Sequence, residues 1–366
     1  MGIYSIHLGG INSLNIYYLY KNYINNNSNL TIMKTILITG GAGFIGSNLI
    51  NHLIADHKII CLDNLITGSR KNIEKFKYHP NFCFCEHDIC EPLENIYLPK
   101  KIDEIYHLAS IASPEKYKKY PMETLFTSIY GTKNVLDLCL KHRAKLVFSS
   151  TSEVYGDPLV HPQSEEYFGN VNTMGERSCY DEGKRVSETL IYLYRQKHLL
   201  DIKIVRIFNT YGPFMDIDDG RVITNFIKNI LSKTPVVING DGEQTRSFCY
   251  IDDMILGLEK MMNSNEKGPI NLGNPNCEVS LNKLVEIFEN CTKEKIPIQY
   301  EESTQDDPKV RKPVIEKAIQ LIGWKPIISL EEGLKKTIDY FIGRYVFTDN
   351  VIVDTTVSIT EKFILQ

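Results

Sequence analysis

The 366-residue chain has no block of clustered lysines and arginines, no run of eighteen apolar residues and no Cys-x-x-Cys pair. The first absence, with a formal net charge of -4 from 41 Lys plus Arg against 45 Asp plus Glu, removes the electrostatic footprint by which proteins track nucleic-acid phosphates. The second leaves no stretch of the length that a membrane-crossing helix needs. The third, with nine scattered cysteines, fits reduced, mostly buried thiols better than a disulfide framework or a zinc site. Neither nucleic acid, a membrane nor a metal is therefore an expected partner, and a reducing, cytoplasmic location is expected. What the chain does have, 43% hydrophobic and 23% charged residues, suffices for a sizeable core in one large unit or two closely packed lobes.

Residues 1–32 read as an appendage, aromatic and asparagine-rich, without a basic signal-peptide start and with Ile6 where a myristoylation pattern needs Ser or Thr. Met33, a second candidate start, opens a cleaner pattern. "TILITG" is an apolar run ending at Gly40, "GAGFIGSNLINHLI" reads as a glycine turn opening a helix, and "KIICLDN" as the next strand. "FCFCEHDI", "EIYHLAS", "KLVFSS" and "IKIVRIFN" continue the strand series, with helical stretches at 121–142 and 181–198. This order predicts an α/β fold: a Rossmann-like parallel sheet with helices on both faces and a ligand outside its carboxyl ends. Residues 33–212 are expected to form mainly this dinucleotide-binding part. Residues 213–342 are expected to form mainly a smaller C-terminal substrate-binding lobe, with 245–262, including "RSFCYI", returning to the main domain and sheet. Residues 343–366 form a tail that alternates like a late strand or docks on a neighbour.

Two local patterns carry chemistry. Gly40, Gly43 and Gly46 stand as G-x-x-G-x-x-G between strand and helix, where missing side chains let backbone approach a pyrophosphate and the helix start meets its charge. Asp63, 20 residues after Gly43 at the next strand end, is placed to accept adenosine ribose hydroxyls and disfavours a 2'-phosphate, so NAD is expected rather than NADP. Asp88 and Ile89 border the adenine on this reading, or simply cap a strand end.

The second pattern is Tyr180 and Lys184 in "SCYDEGKRVSETL". A helix turns by roughly 100° per residue, which puts the pair on one face, away from an apolar stripe of Val186, Leu190 and Leu193 expected to face the core. An ammonium near a phenol lowers its pKa, and the lysine can also hold ribose hydroxyls. Ser149, Ser150, Thr151, Ser152 and Glu153 at a strand end add hydroxyls that can orient a sugar alcohol. Alone, Tyr-x-x-x-Lys is common on solvent-facing helices. Beside a dinucleotide fingerprint it reads as the base system of an alcohol oxidation.

From Met33 to about Phe341 these motifs, with "HLAS" and "RIFNTYGP", resemble the extended short-chain dehydrogenase/reductases. "STSEVYGDPLVHPQSE", "CYDEGKR", "DGRVITNFI", "GDGEQTRSF", "NLGNP" and "DDPKVRKP" more closely resemble the UDP-glucuronate decarboxylases, or UDP-xylose synthases. The resemblance implies NAD-dependent oxidation of UDP-glucuronate at C4, loss of CO2 from the resulting 4-keto sugar, and reduction to UDP-xylose, in a homodimer packed through helices flanking the sheet.

Residue by residue, the resemblance implies Tyr180 as base, helped by Lys184 and Thr151, with Glu153 near the sugar, unless Glu153 serves only to organise its loop by a salt bridge. Arg246 reaches the sugar end. Arg221 and Arg311 hold the nucleotide and diphosphate, Asn209 donates to a phosphate, Arg177 approaches the hexuronate carboxylate and Tyr117 touches substrate. Phe44, Ile45, Asn64, Thr67, Leu108, Ser110, Thr127 and Thr210 join the cofactor contacts. The chain departs from the family wording at Phe126, where a lysine is usual and could contact the acidic sugar, at Phe214 and Asp216 in the cofactor loop, and at Glu176. The alternatives are a UDP-sugar 4-epimerase, a nucleotide-sugar 4,6-dehydratase and an inactive nucleotide-sugar-binding protein.

Overall fold

A computed structural model describes residues 33–302, 310–348 and 351–355; the expected appendage at 1–32 and the end of the tail lie outside the described residues. β1 (Thr35–Thr39), β2 (Lys58–Asp63), β3 (Phe82–Glu86), β4 (Glu104–His107), β5 (Lys145–Thr151), β6 (Ile202–Ile207) and a short strand, Ile270–Leu272, form one sheet. Its order is Ile270–Leu272, β6, β5, β4, β1, β2, β3, with every neighbouring pair parallel. Parallel strands covered on both faces need apolar residues at successive positions. In β1, Ile36 and Ile38 join one buried cluster and Leu37 the other. The helices Phe44–Leu53 and Ile251–Asn263 supply the first cluster, and Thr132–His142 and Ser178–His198 the second. The strand order reverses at β1, between β2 and β4, so the ligand crevice opens at the carboxyl ends of β1 and β4.

The second half departs from the expected path in two places. Ile270–Leu272, too short to show periodicity, extends the main sheet beside β6. "RSFCYI" does not join that sheet: Thr245–Ser247 pairs antiparallel with Glu278–Ser280, and Cys249–Tyr250 pairs with Thr210–Tyr211 in a separate parallel pair. The reason is hydrogen-bonding capacity, because Ile270–Leu272 already occupies the free side of β6. Val236–Asn239 pairs with Ile298–Glu301, and the helices Val222–Leu231, Leu281–Thr292 and Leu330–Arg344 pack around these short sheets. Beyond Arg344, Tyr345–Thr348 and Val351–Asp354 form an antiparallel hairpin.

Candidate active site

The turn after β1 is built so tightly that a side chain would clash at Gly40 and Gly46. Gly40 has φ +70°, and a Cβ there would lie 2.7 Å from the Ala109 nitrogen; at Gly46 a Cβ would lie 2.3 Å from the Gly40 carbonyl oxygen. The helix Phe44–Leu53 therefore starts flush against the strand, aiming its first amides into the crevice. At the end of β2, Asp63 Oδ2 accepts from the Ala42 amide at 3.0 Å and Oδ1 from the Leu65 amide at 2.8 Å. Burial raises the Asp63 pKa, while these two amides pull it back. Asp88 lines the same cleft and also makes strand-end bonds, accepting from the Cys90 amide at 2.8 Å and from Asn64 Nδ2 at 2.9 Å. A cradle that a Cβ would fill, next to a fixed carboxylate and a Ser110 hydroxyl without a hydrogen-bond partner among the described residues, fits a dinucleotide.

The helix Ser178–His198 sits the other way round from the expected orientation. Tyr180, Lys184, Ser187 and Ile191 are buried, whereas Leu193 is 54% exposed. The inward face is affordable because its polar groups are satisfied: Lys184 Nζ donates to the Ser149 carbonyl at 2.8 Å, and Ser187 Oγ to the Ser128 carbonyl at 2.7 Å. Gly183 lets the helix approach closely, since a Cβ there would lie 2.9 Å from Ser128 Oγ. Counting apolar residues missed this face, where Ile191 is the fully buried aliphatic residue, although Leu190 of the expected stripe does pack against the same core.

Burial also reverses the expected direction for the phenol. It raises the Tyr180 pKa well above the ordinary tyrosine value, with a hydrogen bond to the Thr151 side chain opposing it. Lys184 is drawn down to about 7 by burial, opposed by Glu188. Behind it His107, pushed down to about 3 by burial and then by Lys184, stays neutral and bridges Thr39 (2.8 Å) and Thr132 (3.1 Å). Its carbonyl accepts from Ser149 Oγ at 3.0 Å. "HLAS" flagged this strand end, but nothing in the sequence revealed the bridging role of His107.

At the sugar end, Glu153 sits among arginines. Its Oε2 accepts from Arg177 at 2.5 Å and from Arg311 at 3.1 Å; Arg311, 1% exposed, also donates to the carbonyls of Ser152 and Gly156. Burial pushes the Glu153 pKa up, but Arg311, Arg177 and Arg246 together hold it below its ordinary value. Asp181, buried and facing the same negative charge, is raised instead, with Arg177 4.0 Å away. Tyr117 stacks on Tyr180 with centroids 5.4 Å apart, and its buried hydroxyl has no partner among the described residues. Arg221 forks onto Asp219 and lies over the Phe44 ring at 6.0 Å.

The singled-out glycines, Asp63, Tyr180, Lys184, Thr151, Glu153 and arginines 177, 221, 246 and 311 all line one cleft of about 840 Å³. Asn209, Thr210, Ser149, Ser150, Thr127, Thr67, Leu108, Ile45 and Ile89 line it too. Phe126 does not. It lies 39% exposed against Tyr130, outside the cleft lining. Asn72 and Arg344, which the sequence did not mark, do line it.

A model of the NAD dependent epimerase/dehydratase family matches residues 36–273. The chain belongs to that family. Among curated relatives of this epimerase/dehydratase, UDP-glucuronic acid decarboxylase 6 of Arabidopsis thaliana is 50% identical over 301 residues, 82% of this chain and 86% of the plant protein. UDP-glucuronic acid decarboxylase 1 of Xenopus tropicalis is 49% identical over 309 residues, 84% of this chain and 72% of the frog protein. Among solved structures, a UDP-N-acetylglucosamine 4-epimerase from Methanobrevibacter ruminantium M1 in complex with UDP-N-acetylmuramic acid matches with TM-score 0.79 at 30% identity. The match covers 85% of this chain and 99% of that one. The UDP-glucuronic acid 4-epimerase from Bacillus cereus, in complex with UDP-glucuronic acid and NAD, matches with TM-score 0.74 at 29% identity, over 84% of this chain and 98% of the other. NAD is the cofactor of the family, and the glycine cradle and Asp63 are the residues that would hold it here.

Proposed function

We propose that the chain converts UDP-glucuronate to UDP-xylose and CO2 through a UDP-4-keto sugar, as an NAD-dependent carboxy-lyase. The observation that carries this reading is the roughly half-identity to UDP-glucuronic acid decarboxylases over more than four fifths of the chain. When bound in the cleft, NAD supplies a hydride acceptor for C4, a donor for its return, and a positive charge.

The residues of the chain do the rest. Burial keeps Tyr180 a phenol; with its pKa lowered by the positive charge that NAD supplies when bound, and by the Thr151 side chain acting in the same direction, it takes the C4 hydroxyl proton. Lys184, anchored to the Ser149 carbonyl, holds ribose hydroxyls. Once C4 is a ketone, the C5 carboxylate is β to it. The C5–C6 bond electrons flow toward the C4 oxygen, CO2 leaves, and a proton returned to C5 completes the replacement of the carboxylate by hydrogen. Glu153, kept ionised by its arginines, orders the water that delivers that proton, and Arg246 reaches the sugar. Arg177 touches Glu153 directly, which favours a role in orienting that carboxylate as well as meeting the hexuronate. Arg221 and Asn209 take the diphosphate region, Tyr117 the sugar face, and Arg311, committed to Glu153 and the carbonyls of Ser152 and Gly156, braces that carboxylate rather than reaching the diphosphate.

Residues 33–212 serve mainly the dinucleotide and 213–342 mainly the nucleotide sugar in this reading. A homodimer accounts for the half-exposed Met122, Phe126, Tyr130, Tyr192 and Leu193 on the helices flanking the sheet. Among the described residues no helix is long and apolar enough to cross a membrane. The free thiols fit a reducing, cytoplasmic setting. Purified chain incubated with UDP-glucuronate and NAD should release CO2 and yield UDP-xylose; full cofactor occupancy without CO2 overturns the reading. The fold similarity to a UDP-glucuronic acid 4-epimerase makes C4 epimerisation of the same substrate the competing outcome.

A further inference from the structure

The C-terminal hairpin forms part of the wall of the dinucleotide cleft. The helix Leu330–Arg344 runs directly into Tyr345–Thr348, and Arg344, Tyr345, Ile352 and Asp354 line the same cleft as the glycine turn. Two polar links tie it there. Arg344 donates to Asn72 Oδ1 at 2.9 Å, and Asn72 Nδ2 donates to the carbonyls of Ala42 at 3.2 Å and Phe214 at 3.3 Å. Ala42 lies within the glycine turn, and its own amide is the one that holds Asp63. Asp354 Oδ2 lies 3.3 Å from both Lys71 Nζ and Arg344 Nε.

Phe214 packs on Tyr340 with ring centroids 5.5 Å apart. Asn72 and Arg344 are both buried, so their bonding capacity is committed to a connection from one end of the chain to the other. Residues 344–354 also lie beyond the stretch that the family model matches.

We propose that Asn72, Arg344 and Asp354 are positioning residues that latch the hairpin to the glycine turn, so that it closes the cleft around the dinucleotide and slows its release. The inference rests on NAD occupying this cleft. The latch works because a ligand leaving past the hairpin must wait for the buried Arg344–Asn72 bond and the partly exposed ion pairs of Asp354 to open, and such local openings set escape rates.

The test is stopped-flow displacement of NADH from the full-length chain by excess NAD, read by nicotinamide fluorescence. Asp354→Asn and Arg344→Gln should speed release by at least ~10-fold, and Asp354→Glu, which keeps the carboxylate, should restore slow release. If Arg344→Gln does not fold, Lys71→Gln, on a half-exposed side chain, takes its place and should act non-additively with Asp354→Asn, because both cut one link. Release rates of folded Asp354→Asn and Lys71→Gln within about twofold of a tightly binding wild type overturn the latch alone. A wild type that binds no NADH overturns the cofactor reading with it.

Discussion

The ammonium of Lys184 donates to the main-chain carbonyl of Ser149 at 2.8 Å, inside a wall so dry that the lysine pKa falls to about 7. The unfolded chain keeps that proton up to the ordinary lysine range. Between about pH 7 and that range the unfolded state therefore binds more protons, and stability rises with pH. Urea midpoints should climb from pH 7 to pH 9.5 by more in the wild type than in Lys184→Met; equal slopes would remove Lys184 as the source.

Tyr180 tests the assignment of the base. Tyr180→Phe keeps the ring that stacks on Tyr117 but deletes the only proton-carrying atom. Turnover of UDP-glucuronate should drop by about 10²- to 10⁴-fold, the usual worth of a positioned general base, while NADH binding is retained. Steady-state rates and a fluorescence titration on the same preparation check both halves, and unchanged turnover breaks the assignment.

How legible was this in the sequence? Gly40, Gly46 and Asp63 could be read because the tight turn admits so few side chains, and β1 because a doubly covered parallel strand must be apolar throughout. The orientation of the Tyr180 helix was misread, because its inward face is built of satisfied polar groups and glycine rather than aliphatics. The raised Tyr180 pKa was equally hidden: pair spacing reports charge proximity, while burial is a property of the folded surroundings. Asn72 and Arg344 lie 272 positions apart, and no local pattern could announce their contact.

Arg311 tests whether the charges around Glu153 are structural as well as functional. It is fully buried and serves Glu153 and two carbonyls at once. Arg311→Met strips the partly buried Glu153 carboxylate of one of its arginines and leaves two carbonyls without their donor, and stability should fall by about 2–4 kcal/mol. Denaturant unfolding measures it. A loss below ~1 kcal/mol would mean water or Arg177 replaces the lost bonds.

Gly46→Ala tests the cradle. Its methyl group would meet the Gly40 carbonyl oxygen at 2.3 Å, so the turn must open. NADH affinity should fall by at least ~10-fold, with stability down by about 1–3 kcal/mol. Isothermal titration and thermal unfolding separate the two effects, and wild-type affinity in this variant would show that the turn does not carry the pyrophosphate.

The most direct measurement follows the carboxyl carbon itself. With UDP-glucuronate labelled at C6 and NAD present, the purified chain should release the label as CO2 in step with the appearance of unlabelled UDP-xylose, and leave the nicotinamide oxidised at the end. A C4 epimer that retains the label, formed without CO2, would contradict the decarboxylase account while leaving the oxidation at C4 intact.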